Sequence, residues 1–275
     1  MVMKMKIITL VENEQKNKNI LAEHGLSLYV ETSKHKLLMD TGRTDAIIKN
    51  ASELDIDLTA VDTIILSHGH YDHSGGIIPI SKINNHAKII MQSSAVLPHY
   101  SNEKFIGIDS AISDLPNLQL IDGNLNIDEE LFIFSGISGR KCFPDGNLKL
   151  FSVINGIKVQ DDFSHEQCLV ISDNDKKWLL SGCAHNGIIN ILDRYKEIFN
   201  DMPDYVITGF HMMKREGDGE YTDKDIAVIK ETAHELIKTN TIFYSGHCTG
   251  NFAFDTMKEI MGDQLVQLYS GKRII

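Results

Sequence analysis

Short apolar runs alternate with longer amphipathic stretches along most of the chain. Residues 6–11, 26–32 and 36–40 are brief, apolar or β-branched, and bounded by turn residues, a pattern that predicts strands. A helix is expected over 45–54. The run TIILS at 63–67 is apolar almost throughout, as a strand covered on both faces requires. A helical stretch should follow from after Ser74 to about Ile83, then a strand over 87–91. The second half repeats this style, with strands predicted at 148–154, 168–172 and 177–181. A helix over 187–199 puts Ile188, Ile191, Leu192, Tyr195 and Ile198 on one face. A strand at 205–208 precedes a helix N-capped by Thr222 and running to about Lys238. There Asp225 completes a capping-box-like pair, and Ile226, Ile229, Ala233, Leu236 and Ile237 form the apolar stripe. A strand at 241–244, a helix at 251–261 and a strand at 265–269 finish the chain. Residues 101–147 hold strand candidates at 118–121 and 131–135 among Gly, Pro, Asp and Asn, and are expected to form loops and hairpins on a sheet rim.

Strands followed by helices in two successive halves fit two sheets packed face to face with helices outside, and equally one doubly wound sheet. No Pro-, Gly- or Ser-rich linker, low-complexity tract or short repeat interrupts the 275 residues, so one domain spanning 1–275 is expected.

The composition, 42% hydrophobic and 24% charged, is that of an ordinary globular protein. The net charge of −11 says more: it speaks against nucleic acid or an anionic membrane as partner. A local basic pocket for a small anion stays compatible with it. No run of eighteen apolar residues predicts a membrane-spanning helix. The N-terminal apolar run is too short for a signal peptide, so a cytoplasmic protein is expected. Its four cysteines, Cys142, Cys168, Cys183 and Cys248, show no paired spacing and are expected as thiols. Oligomeric state is left open.

The densest chemistry is His68-Gly69-His70-Tyr71-Asp72-His73, directly after TIILS. His68 and His70, two apart in an extended segment, point the same way and can reach one ion. Asp72 and His73 lie where the chain turns toward a helix and can face a neighbouring position. Gly75 and Gly76 are expected to let the backbone pass close to the ions. Four strand ends repeat one theme, a small hydroxyl residue with a glycine or histidine close behind: Ser67-His68, Ser181-Gly182-Cys183-Ala184-His185, Thr208-Gly209-Phe210-His211 and Ser245-Gly246-His247. Ligands of layered α/β proteins gather at the carboxyl ends of strands, so these ends are expected to bring imidazoles to one edge.

With these motifs, and with Asp40-Thr41-Gly42 as the preceding acidic turn, the chain resembles metallo-β-lactamase-superfamily hydrolases from about Ile7 to its end. Val11-Glu12-Asn13, Glu23-His24-Gly25-Leu26-Ser27, Gly182-Cys183-Ala184-His185-Asn186-Gly187, Gly209-Phe210-His211 and His247-Cys248-Thr249-Gly250 carry a narrower likeness. That likeness is to the branch that includes the dihydropterin-ribofuranosyl-aminobenzene phosphate synthase and many metal-dependent hydrolases. The resemblance implies an α+β fold, the four-layer αββα sandwich. It implies one ion on His68, His70 and His185, another on Asp72, His73 and His247, and Asp40 orienting a ligand histidine. One or two zinc ions are expected, with manganese or iron(II) as alternatives. The chain departs from the common pattern at Gly182-Cys183, where many members carry a bridging Asp. Whether Cys183 is a ligand, and whether His165 or Glu166 replaces His185, stays open at this level. A thiolate there would favour zinc.

His211 is expected on the substrate side, as a hydrogen-bond donor or proton shuttle, and Asp72 is counted with it as catalytic. Asn13, His24, Arg43, Arg140 and Lys214 are candidates for the pocket, the cations for an anionic substrate. His35, His86, His99 and His234 are expected to be ordinary surface or core residues. The leading functional expectation is a hydrolase in which a metal-bound hydroxide attacks a small ester, lactone, thioester or phosphoester. A second is a pterin-pathway synthase transferring ribosyl phosphate. A third is a non-catalytic metal-dependent ligand sensor.

Overall fold

The computed structural model describes residues 5–214 and 217–275. One sheet has six strands in the order Lys6–Val11, Ser27–Glu31, Lys36–Met39, Thr63–Ile65, Lys88–Gln92 and Leu118–Ile121. The first three pair antiparallel, and from Lys36–Met39 onward the pairing is parallel. A second sheet has the order Leu265–Gln267, Ile242–Ser245, Tyr205–Thr208, Lys176–Leu180, Cys168–Asp173, Leu131–Phe134 and Leu125–Asn126. It is parallel from Leu265–Gln267 to Lys176–Leu180 and antiparallel beyond. Each sheet therefore contains a parallel block whose strand carboxyl ends share one edge.

The period-two alternation of strand side chains explains how the sheets stack. Ile7, Leu28, Val30, Leu37, Met39, Ile65 and Ile90 of the first sheet meet Ile133, Leu169, Ile171, Trp178, Leu180 and Ile207 of the second in one buried core. Ile8, Leu10, Leu38, Ile64 and Ile89 face the opposite way, packing with Ile47, Ile77 and Ile80 of the helices Ala46–Glu53 and Ile77–Ser81. Val170, Leu179, Val206 and Phe243 do the same beneath the helices Ile188–Phe199, Asp223–Leu236 and Asn251–Met261. Strands buried on both faces are why the central segments read as unbroken apolar runs. The result is the αββα sandwich, and it settles the choice against one doubly wound sheet.

The helix stripes fall as the periodicity predicts, and the capping box at Thr222 is formed: its hydroxyl accepts from the Asp225 amide at 3.2 Å while its own amide donates to Asp225 at 2.7 Å. Three expectations need correcting. The segment 101–147 is more than rim: Leu131–Phe134 is an interior strand of the second sheet, and Leu118–Ile121 extends the first. The strand at Leu150–Ile154 joins neither sheet. It pairs with Ile157–Gln160 and His99–Ser101 in a small antiparallel sheet that also includes Lys104–Phe105. Strand pattern alone does not specify the partner, and this sheet is built from segments some fifty residues apart. The helix expected after Ser74 begins earlier and is broken in two, Tyr71–Ser74 and Ile77–Ser81. Among the described residues no helix is long and apolar enough to cross a membrane.

His35, in the hairpin of the first sheet, ties the layers together: Nδ1 lies 3.4 Å from Asp62 and Nε2 2.8 Å from Asp128, beside the second sheet. Burial opposes its charge, but the two carboxylates outweigh this and raise its pKa above the ordinary value. A raised folded-state pKa contributes stability that is complete below the unfolded value, about 6.5, and is lost as pH rises through the folded one. Urea melts at pH 6 and pH 9 should show wild type losing its advantage over His35→Gln at the higher pH, by up to about 1 kcal/mol for such a solvent-screened pair. An advantage that grows with pH would refute this.

Candidate metal centre

The carboxyl ends of five parallel strands from the two sheets deliver the polar residues to one edge. Asp40 follows Lys36–Met39, and the 68–73 segment follows Thr63–Ile65. Cys183 and His185 follow Lys176–Leu180, His211 follows Tyr205–Thr208, and His247 follows Ile242–Ser245. Asp40, Ala184, His211 and His247 all adopt the left-handed backbone region, with φ of 60°, 54°, 51° and 48°. Such residues cost on the order of 1–3 kcal/mol each and persist where the surroundings over-determine them.

The rings of His68, His70 and His185 form a triangle with centroid separations of 4.6 to 4.8 Å. All three are buried, and each has a buried Nε2 with no hydrogen-bond partner. Burial first, then the neighbouring imidazoles, hold their pKa values well below the ordinary histidine value, so they are neutral lone-pair donors at pH 7. The hydrogen bonds fix two tautomers. Ser67 Oγ donates its one proton to Asp40 Oδ2 at 2.7 Å, so it accepts from His68 Nδ1 at 2.8 Å. His185 Nδ1 donates to Asn147 Oδ1 at 2.9 Å. Both therefore keep Nε2 as a free acceptor. A side chain at Gly182 would put a Cβ 2.2 Å from Ser67 Oγ, so this packing requires glycine.

A second group lies alongside. His73 Nε2 is 3.2 Å from His247 Nε2, and His247 Nε2 is 3.5 Å from Asp72 Oδ2. Asp40 accepts from His73 Nδ1 at 2.7 Å, and Asn13 Oδ1 from His247 Nδ1 at 2.9 Å. With each Nδ1 spent on an acceptor, the two facing Nε2 atoms need one proton or a cation between them. Burial opposes a charge on His73, but Asp40 holds its pKa up at about 9. His24 Nε2 is 3.1 Å from Asp72 and its ring stacks on His247 at 4.8 Å. The Cys183 sulfur is common to both groups: it lies within 4.8 Å of the donor atoms of His68 and His185, and of those of His73 and His247. Burial pushes its thiol well above the ordinary value, so a thiolate there needs a cation beside it.

Glu166 and His165 have hydrogen-bond partners within the protein. Glu166 is occupied by the amides of His185 and Asn186 at 2.6 and 2.9 Å and by the Asn186 side chain at 2.9 Å, which positions the His185 turn. His165 has both nitrogens engaged, accepting from Gly69 N and donating to Asp161. Arg43 and Arg140 do not line the central cavity: Arg43 lies over the Tyr71 ring, and Arg140 packs on Phe143 beside a separate hollow. Lys214 lines an adjoining cavity and pairs with Asp225. Gly75 and Gly76 approach the carbonyls of Arg43 and Thr41 rather than the candidate ion positions.

The cavity, about 260 Å³, is bounded by His70, Asp72, Cys183, His185 and His211, with Lys104 and Lys149 at its wall. His211 packs on His185 at 4.1 Å and has a buried Nδ1 with no partner. Sequence reasoning missed Asn147, Glu12 and the buried Asp161, and left the buried His99 as an ordinary residue. Glu12 accepts from the His247 and Glu14 amides and is driven up to about 7 by burial. Its sequence signals were an acidic residue at the end of an otherwise apolar strand and its place in Val11-Glu12-Asn13.

The family description Metallo-beta-lactamase superfamily matches residues 21–236. The chain belongs to the metallo-beta-lactamase superfamily. It is 28% identical to the 7,8-dihydropterin-6-methyl-4-(beta-D-ribofuranosyl)-aminobenzene-5'-phosphate synthase of Methanocaldococcus jannaschii, over 98% of this chain and 96% of that protein. It is 30% identical to an uncharacterized protein of the same organism, over 71% of this chain and 75% of the other. The crystal structure of Tm1679, described as a metal-dependent hydrolase of the beta-lactamase superfamily, superposes with a TM-score of 0.83 at 29% identity, covering 99% of each chain. The chain is thus a metallo-beta-lactamase-fold protein with candidate metal-binding groups of His, Asp and Cys at the expected strand ends.

Proposed function

We propose that this superfamily member is a metal-dependent enzyme that hydrolyses a small anionic ester or phosphoester. The observation that carries this reading is the set of three buried imidazoles with unpartnered Nε2 atoms beside a cavity of about 260 Å³. His68, His70 and His185 would hold one ion, and Asp72, His73 and His247 the other, with Cys183 common to both. Two ions, zinc before manganese or iron because of the thiol, would supply Lewis acidity and bring the pKa of a water toward neutrality.

The chain's own residues do the rest. Ser67, Asn147, Asn13 and Asp40 hold the imidazoles in their ligand tautomers. Lys104 and Lys149, the latter paired with Asp218, line the cavity and would meet an anionic group there, and burial of the centre keeps bulk water from the reacting atoms. His211 donates to the departing oxygen from the cavity wall.

A second reading is favoured by the full-length likeness to the synthase: joining of a 6-methyl-dihydropterin group to a ribofuranosyl-aminobenzene phosphate, with Lys104 and Lys149 near the phosphate. Elemental analysis followed by a panel of phosphoesters, esters and lactones tests the first reading. Joining of an activated 6-methyl-7,8-dihydropterin donor to 4-(β-D-ribofuranosyl)-aminobenzene-5'-phosphate, followed by mass spectrometry, tests the second. Turnover in the first assay alone supports hydrolysis. Turnover only in the second establishes the synthase. Two metals per chain with neither activity would point to a ligand sensor.

His211→Ala should keep wild-type metal content and lose about 10²-fold or more in kcat, the range for a proton-transfer residue. Metal loss in this variant would place His211 among the ligands instead.

A further inference from the structure

Two of the four cysteines meet at the centre although 65 residues separate them, and the proposed chemistry uses only one. Cys183 follows the strand Lys176–Leu180 and lines the central cavity; Cys248 follows Ile242–Ser245 and lies behind it. We propose that Cys183 and Cys248 form an oxidation site for small hydroperoxides, at which hydrogen peroxide entering the cavity converts the two thiols to a disulfide and so withdraws Cys183 from both groups of metal donors. The effect on metal rests on the reading above, whereas the cross-link itself concerns only the two sulfurs.

The strand between them explains how they meet. Tyr205–Thr208 separates the two parallel strands, so residues within those strands stand about 9–10 Å apart. A disulfide needs Cα atoms within about 7 Å. Past the strand ends the gap narrows over Gly209, whose amide donates to the Gly182 carbonyl at 2.8 Å. The Cys248 sulfur fills the space that a side chain at 209 would take: a Cβ there would stand 2.3 Å from Cys248 Sγ and 3.6 Å from Cys183 Cα. Cys248 Sγ thus lies 3.5 Å from the Cys183 carbonyl oxygen, and the two sulfurs are within 4.8 Å of each other. Rotation of Cys183 about its Cα–Cβ bond closes the remaining distance.

Access is selective. Cys183 and Cys248 are 3% and 2% exposed, which bars bulky reagents, but the cavity of about 260 Å³ admits a molecule as small as hydrogen peroxide to the Cys183 sulfur. Cys168 is sealed in the core of the second sheet, and the partly exposed Cys142 does not line this cavity. The Cys183 sulfur attacks one peroxide oxygen, the O–O bond breaks, and the departing hydroxide takes the thiol proton as water, leaving a sulfenic acid. The Cys248 sulfur, steadied by the His211 amide at 3.3 Å, attacks the oxidised sulfur. The S–O bond breaks and hydroxide leaves with the second thiol proton. Two thiols lose two electrons, and one peroxide becomes two waters. The thiolate is the form that binds zinc, so the link removes the donor common to both groups, and a dithiol reductant restores it.

Metal-free full-length protein treated with a small excess of hydrogen peroxide, alkylated and weighed whole and after non-reducing digestion, tests this. The expected result is a loss of about 2 Da, the two thiol hydrogens, a peptide pair joined at 183 and 248, and reversal by dithiothreitol. Cys248→Ser should instead hold an added oxygen on Cys183, about 16 Da, and Cys183→Ser should show no loss of mass. In a competition titration the cross-linked protein should bind zinc about tenfold or more weakly than the reduced one, and zinc added first should slow the cross-link. Cys183 and Cys248 still free after peroxide has oxidised Cys142, a link to Cys142 or Cys168, or unchanged zinc affinity with the link in place would each overturn the proposal. If reduced wild type takes up no zinc, the metal reading fails separately, and the masses of the metal-free protein still decide the cross-link.

Discussion

On the proposed metal reading, His68→Ala is expected to abolish binding of one ion and to lower turnover by a factor on the order of 10³ or more. The side chain is fully buried, its Nδ1 is committed to Ser67, and its Nε2 has no partner within the protein. An atom so placed contributes to folding only a desolvation cost, which a bound cation would offset. Removing it should leave the fold intact or slightly more stable without metal, while the Lewis acid is lost. Several kcal/mol of transition-state stabilisation disappear with the ion, at about tenfold per 1.4 kcal/mol. Elemental analysis of the purified variant and its kcat check both halves. Metal content equal to wild type would remove His68 from the ligand set. Cys183→Ser belongs to the same experiment. If the sulfur is common to both ions, zinc affinity falls at both positions; unchanged affinity in a competition titration assigns the thiol to the core.

Asp40→Ala is expected to cost about 3–5 kcal/mol, the range for stranding one member of a buried ion pair. Asp40 is fully buried and accepts from the Ser67 amide, the Ser67 hydroxyl and His73 Nδ1, each at 2.7 Å. At pH 7 the metal-free pair is ionic, because Asp40 keeps the His73 pKa near 9. Truncation leaves three donors without an acceptor and frees the Ser67 hydroxyl that orients His68, so both metal positions loosen. Asp40→Asn is milder: Asn tolerates the left-handed backbone that Asp40 adopts at φ 60°, and its carbonyl can still accept from Ser67. Its amide, however, opposes the His73 Nδ1–H. Urea denaturation and zinc stoichiometry on the two variants check this ordering. Wild-type stability in Asp40→Ala would show that the network is not coupled to folding.

Much of the centre was legible because its signals are local. The run from His68 to His73 puts four donor side chains within six residues, and the strand before it is apolar enough to declare itself. The recurring strand ends at Ser181, Thr208 and Ser245 were readable for the same reason: a short strand stops at its first glycine or polar residue, and the residues just past that stop lie at the sheet edge. Helix faces and the Thr222 capping box depend on spacing within a few residues.

The hidden part of the centre depends on distance along the chain. Nothing near His99 announces Asp161, 62 residues later, as its partner. Nothing near His185 announces Asn147, 38 residues earlier. Glu166 has the composition of a metal ligand, and only its three hydrogen-bond donors show that it organises the His185 turn. Arg43 and Arg140 carry the right charge for an anionic substrate, but the fold turns them onto Tyr71 and Phe143, and it is Lys104 and Lys149 that reach the cavity. By itself the sequence determined the strand and helix periodicities, the acidic character and the candidate donor residues at the strand ends, since these depend on neighbours within about one turn or one strand. The tertiary structure alone decided which tautomers His68 and His185 take, that Cys183 lies between two groups of donors, and that segments near 100, 150 and 160 close over the site in a sheet of their own. Those outcomes are set by hydrogen-bond partners far apart in the chain, which become neighbours only once the two sheets have packed.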